Sequence, residues 1–322
     1  MGFRSAASIV RHRLEYLAVV SVRQVVRLLP WRIARALGTA LGRAFSALDP
    51  SHRRLAIDNL QHAFPLRSRQ ECRVIARATF AHFGRLLVDL LKFSTLTPER
   101  MITRVDFEGL DHMRHAHEQR RGVLLFTAHF GYWEQAALVH ALGLAPMAVV
   151  ARPLDNPRLH ALLESVRTCT GNTVIYRRGG LRRIMRALAA NQAVAVLIDQ
   201  HIQAADAVYV EFFNRPAATT SALAALALRT GAPVVPVFAL PLPDGRFRLV
   251  YEHPVEPPRE DDPDPVREFT QRCTDVLEMY VRRYPELWLW MHRRWRDVDY
   301  AKLPARGMFP AATPDRDGRE RR

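Results

Sequence analysis

Four apolar side chains, Val123-Leu124-Leu125-Phe126, run without interruption, and the small, polar and glycine residues Thr127-Ala128-His129-Phe130-Gly131 follow them. Such a run bounded by turn residues predicts a buried strand, with His129 at its C-terminal end. Runs at 145–151, 173–176, 193–198, 233–240 and 247–251 predict further strands, and 104–109 predicts the start of the sheet. Between them, helical spacing of apolar positions predicts helices over 112–120, 132–140, 158–168, 181–190 and 220–229, and a last one reaching 283. Strands alternating with helices predict an α/β fold with a mixed, mostly parallel central sheet flanked by helices. The first hundred residues read as helical throughout: an amphipathic helix before Pro30, then helices at 31–48, 50–63 and 68–93. A capping box of Ser68 and Glu71 opens the last of these. The expected organisation is an N-terminal helical, membrane-associating region (1–100), an α/β region (101–300) and a proline-, glycine- and charge-rich tail (301–322) that is disordered.

The membrane expectation comes from the first thirty residues. Their longest uncharged run, residues 16–22, is too short to span a bilayer and is followed by no cleavage site for a signal peptide. At helical spacing, Leu14, Ala18, Val22, Val25, Val26 and Leu29 share one face, with Arg13, Arg23, Gln24 and Arg27 opposite. That pattern suits a helix lying in an anionic membrane interface. Charge points the same way, since 47 basic against 32 acidic residues leave +15, and the only lysines are Lys92 and Lys302. Arginine binds phosphate and carboxylate through two parallel hydrogen bonds, so acidic partners are expected, such as phospholipid headgroups, a phosphorylated glycolipid or an acidic carrier protein. No nucleic-acid-binding motif is present, and none of that class of partner is expected. Cys72, Cys169 and Cys273 are scattered, which suits a reducing compartment and no disulfide framework.

Candidate chemistry gathers at the strand ends. In open α/β sheets that edge is where ligands bind. His129 is a candidate general base, and Glu134, five positions on, is placed to lie beneath the imidazole from the first turn of the next helix and fix its tautomer. No serine or cysteine stands beside the pair, so the hydroxyl that His129 would deprotonate belongs to a substrate. Arg152 ends the next strand, where it either holds a phosphate or carboxyl group or pairs with Asp155. Arg177 and Arg178 precede Gly179-Gly180 at a helix N-terminus, a setting for an anion. Asp199 and Gln200 end the strand after that, where the aspartate either positions a sugar or a catalytic side chain or caps a turn. No third ligand accompanies His129 at metal-binding spacing, so neither a metal nor another cofactor is expected.

These blocks together resemble the late acyltransferases of lipid A biosynthesis, the lauroyl and myristoyl transferases within the lysophospholipid acyltransferase superfamily. The resemblance covers roughly residues 20–297. It rests on Asn-Leu-Gln-His-Ala-Phe-Pro at 59–65, His129-Phe-Gly-Tyr-Trp-Glu134, Arg152-Pro153 with Asn156-Pro157, Asp199-Gln200, Phe212-Phe213 with Pro216-Ala217 and Thr219, and the block 285–295. It implies a glycerol-3-phosphate acyltransferase-like fold. It also implies transfer of a fatty acyl chain from acyl carrier protein to a hydroxyl of a phosphorylated glycolipid at the cytoplasmic face of the inner membrane. His129 would be the base and Glu134 its partner, with Arg152, Asn156, Asp199 and Gln200 around the substrates. Family members commonly carry a membrane-spanning N-terminal segment, which Arg23 and Arg27 interrupt here. Relatives acting on other lipids, including phosphatidylinositol mannoside acyltransferases, share the same His-x4-Glu framework. The rival readings are a hydrolase using the pair on water, against which the missing Gly-x-Ser-x-Gly elbow counts, and a non-enzymatic basic membrane- or nucleic-acid-binding protein.

Overall fold

A computed structural model describes residues 6–176, 179–202 and 207–296. The expected disordered tail lies outside these residues. The chain opens with four helices, α1 (Ala6–Leu28), α2 (Trp31–Leu48), α3 (Pro50–Ala63) and α4 (Arg69–Phe93). Their boundaries follow from local chemistry. Asp49 caps α3 by accepting from the Ser51 and His52 amides, and both bonds of the Ser68–Glu71 capping box are made at α4. Lys92 closes α1, its Nζ donating to the carbonyls of Val26, Arg27 and Leu29 at 2.8, 3.1 and 2.7 Å.

The tightest joint in this region is between α2 and α4. Ala34, Gly38, Gly42 and Ser46, each four residues apart, form the buried stripe of α2. A Cβ on Gly42 would stand 2.0 Å from the Phe80 carbonyl, and one on Gly84 would stand 2.1 Å from the Gly38 carbonyl. The two backbones are therefore in direct contact. On the adjoining face of α2, Ile33, Leu37, Leu41, Phe45 and Leu48 are exposed. α1 carries exposed Leu14, Leu17, Val25 and Leu28, while its Val26 is buried and its Arg23 donates to Ser94. The apolar face foreseen for α1 is thus divided between solvent and protein, and α2 bears an exposed row that the sequence reading passed over. No helix among the described residues is long and apolar enough to cross a membrane.

The α/β part follows. A short helix α5 (Pro98–Ile102) leads to β1 (Val105–Glu108), α6 (Leu110–Glu118), β2 (Val123–Thr127), α7 (Trp133–Gly143), β3 (Ala148–Ala151), α8 (Pro157–Thr168), β4 (Thr173–Tyr176), α9 (Gly180–Ala189) and β5 (Ala193–Leu197). After the hairpin β6 (Ala207–Glu211) and β7 (Pro216–Thr220) come α10 (Ala222–Thr230), β8 (Val234–Pro241), β9 (Phe247–Tyr251) and α11 (Pro265–Arg283). Seven strands form one sheet in the order β1-β9-β8-β2-β5-β3-β4, parallel everywhere except β8 against β9. This is the mixed, mostly parallel sheet expected. β2 is central and buried on both faces, with Leu124 and Phe126 in one core and Val123 and Leu125 in the other.

Two boundaries differ from expectation for identifiable reasons. The strand foreseen at 145–151 starts at Ala148, because Pro146 has no amide to donate and the Met147 amide bonds instead to the Asn172 side chain. The helix foreseen from 220 starts at Ala222, because Thr219 and Thr220 pair with Val208 and Ala207 in the antiparallel hairpin.

Candidate active site

β2 and β5 run parallel in a register that sets Thr127 beside Leu197, so their C-terminal ends are level. Two residues beyond each end stand His129 and Asp199. The His129 amide donates to Asp199 Oδ2 at 3.0 Å, and its ring Nδ1 lies 2.9 Å from Oδ1. Trp288, from the loop after α11, donates its indole N–H to Oδ2 at 3.0 Å. A carboxylate so held accepts a hydrogen bond from Nδ1–H, which leaves Nε2 as the basic nitrogen of the ring. Nε2 lies 3.4 Å from the Gln200 side-chain nitrogen. The Trp133 ring stands edge-on to the imidazole, with centroids 5.3 Å apart.

The electrostatics of the pair run against burial. Asp199 is 2% exposed, and burial alone would raise its pKa, but the charge of His129 and the three N–H donors hold it below the ordinary carboxylate range. Burial likewise disfavours the His129 cation. Asp199 outweighs that, with Glu134 adding to it, and the imidazole pKa stands above the ordinary histidine value.

The carboxylate at Nδ1 is thus Asp199, where Glu134 had been expected. Glu134 lies in the first turn of α7, and its carboxylate turns to Arg167 of α8, which donates through Nε at 2.9 Å and through a second, shorter bond from Nη2. The half-buried pair flanks the imidazole and acts on it through charge, Glu134 raising and Arg167 lowering its pKa.

The remaining candidates separate. Gln200 is at the site. Arg152 is exposed beside Asp155, 3.9 Å away. Asn156 is buried as the cap of α8, accepting from the Arg158 and Leu159 amides and donating to the His12 carbonyl and Glu15, so it ties α8 to α1. Its polar atoms are engaged within the fold. Arg177 and Arg178 lie outside the described residues. Among the described residues no three His, Cys, Asp or Glu side chains converge to hold a metal ion.

Four features of the site escaped the sequence reading in whole or part. Gly131 takes φ +58°, and a Cβ there would meet the Ala239 carbonyl at 2.0 Å, so the turn after His129 requires glycine. Tyr132 donates to Asp89 of α4, which also faces Arg35 at 3.4 Å. Burial raises the Asp89 carboxyl to about 6. Trp288 locks Asp199. Arg294 is fully buried, donating to the Ala218 carbonyl at 2.6 Å and to Thr219, which ties the hairpin to the site loop. Burial lowers its pKa to about 10, with Asp199 opposing. The signal for the last two was the density of tryptophan and arginine over 285–295.

Residues 1–297 match the model of the bacterial lipid A biosynthesis acyltransferase family. The chain is 28% identical over 289 residues to the lipid A biosynthesis lauroyltransferase of Escherichia coli K12, covering 89% of this chain and 92% of that protein. It is 28% identical over 273 residues to the lipid A biosynthesis palmitoleoyltransferase of the same organism, covering 83% and 86% respectively. The phosphatidylinositol mannoside acyltransferase of Mycolicibacterium smegmatis is 24% identical over 225 residues, covering 69% of this chain and 72% of that one.

Proposed function

Because the chain belongs to the bacterial lipid A biosynthesis acyltransferases, we propose that it moves a fatty acyl chain from an acyl carrier protein thioester to a hydroxyl of a lipid A precursor, with His129 as general base. The observation that carries the mechanism is the hold of Asp199 on His129 Nδ1. The acceptor hydroxyl donates to Nε2, and its proton passes to the ring as the oxygen adds to the thioester carbonyl. Asp199 stabilises the imidazolium that forms. Collapse of the tetrahedral intermediate breaks the C–S bond, and the imidazolium returns its proton to the departing sulfur. Glu134 and Arg167 act on the imidazole through charge, Glu134 favouring its cation and Arg167 opposing it.

The same reading places the protein at the cytoplasmic face of the inner membrane. Exposed apolar rows on α1 and α2 would enter the acyl region while the arginines of α1 meet lipid phosphates. Transfer of a radiolabelled acyl group from acyl carrier protein to a tetra-acylated lipid A precursor tests the reaction. The native protein transfers the label, and His129→Ala loses transfer by about 10²–10⁴-fold. Full transfer by folded His129→Ala would exclude the mechanism. Native protein acylating a phosphatidylinositol mannoside in place of the lipid A precursor would keep the chemistry and change the acceptor.

A further inference from the structure

Beyond Gln200 the chain enters an open cleft of about 410 Å³ lined by His52 of α3, His201, His292, Arg293 and Arg296, with Leu55 and Met291 as its apolar part. Its walls are fixed. Asn59 of α3 donates to the carbonyls of Trp290 and His292 at 2.8 and 2.9 Å, and the His201 amide donates to His292 Nε2 at 3.0 Å. His292 therefore carries its proton on Nδ1 and is neutral. Burial lowers its pKa, and His201, two residues beyond Asp199, joins the cleft to the strand end that carries the catalytic pair. The charge at the rim is positive. Arg293 is exposed and pairs with no carboxylate among the described residues, and Arg296 is exposed beside it. Asp49 bonds to His52 Nδ1 at 2.6 Å at one edge of the cleft.

We infer that this cleft binds a phosphate group of the acceptor, with Arg293 and Arg296 as its principal contacts and the imidazoles of His52 and His201 beside them. Guanidinium groups match phosphate oxygens with paired donors, and an apolar floor admits the sugar face that carries the phosphate. Gln200 stands 3.4 Å from His129 Nε2 and the next residue, His201, lines the cleft, so one molecule can set its hydroxyl at the base and its phosphate in the cleft. The inference deepens the acyl-transfer reading and rests on it for the identity of the acceptor. A phosphate could also arrive on the pantetheine arm of the donor, and the kinetics separate these sources.

Arg293→Gln with Arg296→Gln should raise KM for the phosphorylated acceptor at least tenfold and leave KM for acyl carrier protein within twofold. With phosphatase-treated acceptor, the native and doubly substituted proteins should share the same high KM. A rise confined to the donor, or an equal loss on both acceptors, would overturn the assignment. A readout independent of turnover is the histidine ring spectrum on titration with glucosamine 1-phosphate, with glucosamine as control. His201 and His292 should shift saturably with the phosphate ester in the native protein, and the affinity should fall at least tenfold in the double variant. No shift in native protein, or equal shifts in both, refutes the site. Should the shifts appear while no acyl group reaches a lipid A precursor, the phosphate site stands and the acceptor reading fails.

Discussion

Three N–H donors, two from His129 and one from Trp288, fix the buried Asp199 carboxylate. The consequence is the aim of His129 Nε2. Glu134 has a different task, because its oxygens are already committed to Arg167. Glu134→Gln should therefore lower transfer by about tenfold or less. It should also cost about 1–3 kcal/mol of stability by leaving the half-buried Arg167 without its charge partner. Steady-state kinetics beside a thermal melt check this, and a collapse equal to that of His129→Ala with an unchanged melt would give Glu134 a direct chemical role. The sequence made His129 legible because a strand end exposes whatever residue stands there. It misled on the partner because proximity along the chain favoured Glu134 five residues away. Asp199, seventy residues on, becomes the neighbour only through parallel pairing of β2 with β5, which no local pattern encodes.

α2 shows how one helix serves two surfaces. Its small-residue stripe lets the backbone touch α4, and on the adjoining face Ile33, Leu37, Leu41 and Phe45 repeat at four-residue spacing, with Leu48 three residues on, all exposed. Burying apolar surface is worth about 25 cal/mol per Å², so exposed leucines in a row favour an acyl environment strongly. Leu37→Glu with Leu41→Glu should lower binding to anionic phospholipid vesicles at least tenfold in a flotation assay, with the thermal melt preserved because both side chains face outward. Vesicle binding unchanged by the pair would remove α2 from the membrane contact. In α1 the arginines make the amphipathic pattern conspicuous in the sequence. In α2 the glycines and alanines of the buried face look weakly apolar, so the packing stripe was hard to recognise without its partner α4.

At the scale of the molecule, the parallel sheet brings the ends of β2 and β5 together. The loop after α11 then closes over them, with Trp288 on Asp199 and Arg294 under the β6–β7 hairpin. α4 reaches the turn after β2 from the other side, its Asp89 accepting from Tyr132. Helical and α/β parts thus meet at the turn that carries His129. The sheet and its order of elements were readable from alternating patterns. The meeting of three distant segments at one carboxylate was not, because each contributes a single polar or aromatic residue that reads locally as a cap or a core side chain.

The pH dependence of acyl transfer tests the pairing of His129 with Asp199 most directly. Transfer requires neutral His129, so kcat/KM should rise with pH through an acid limb set above the ordinary histidine pKa. In Asp199→Asn the charge that supports the imidazolium is gone while burial remains, so the limb should move to lower pH and the plateau should fall by about 10²-fold or more. An acid limb that stays in place in folded Asp199→Asn, with the plateau intact, would contradict the account.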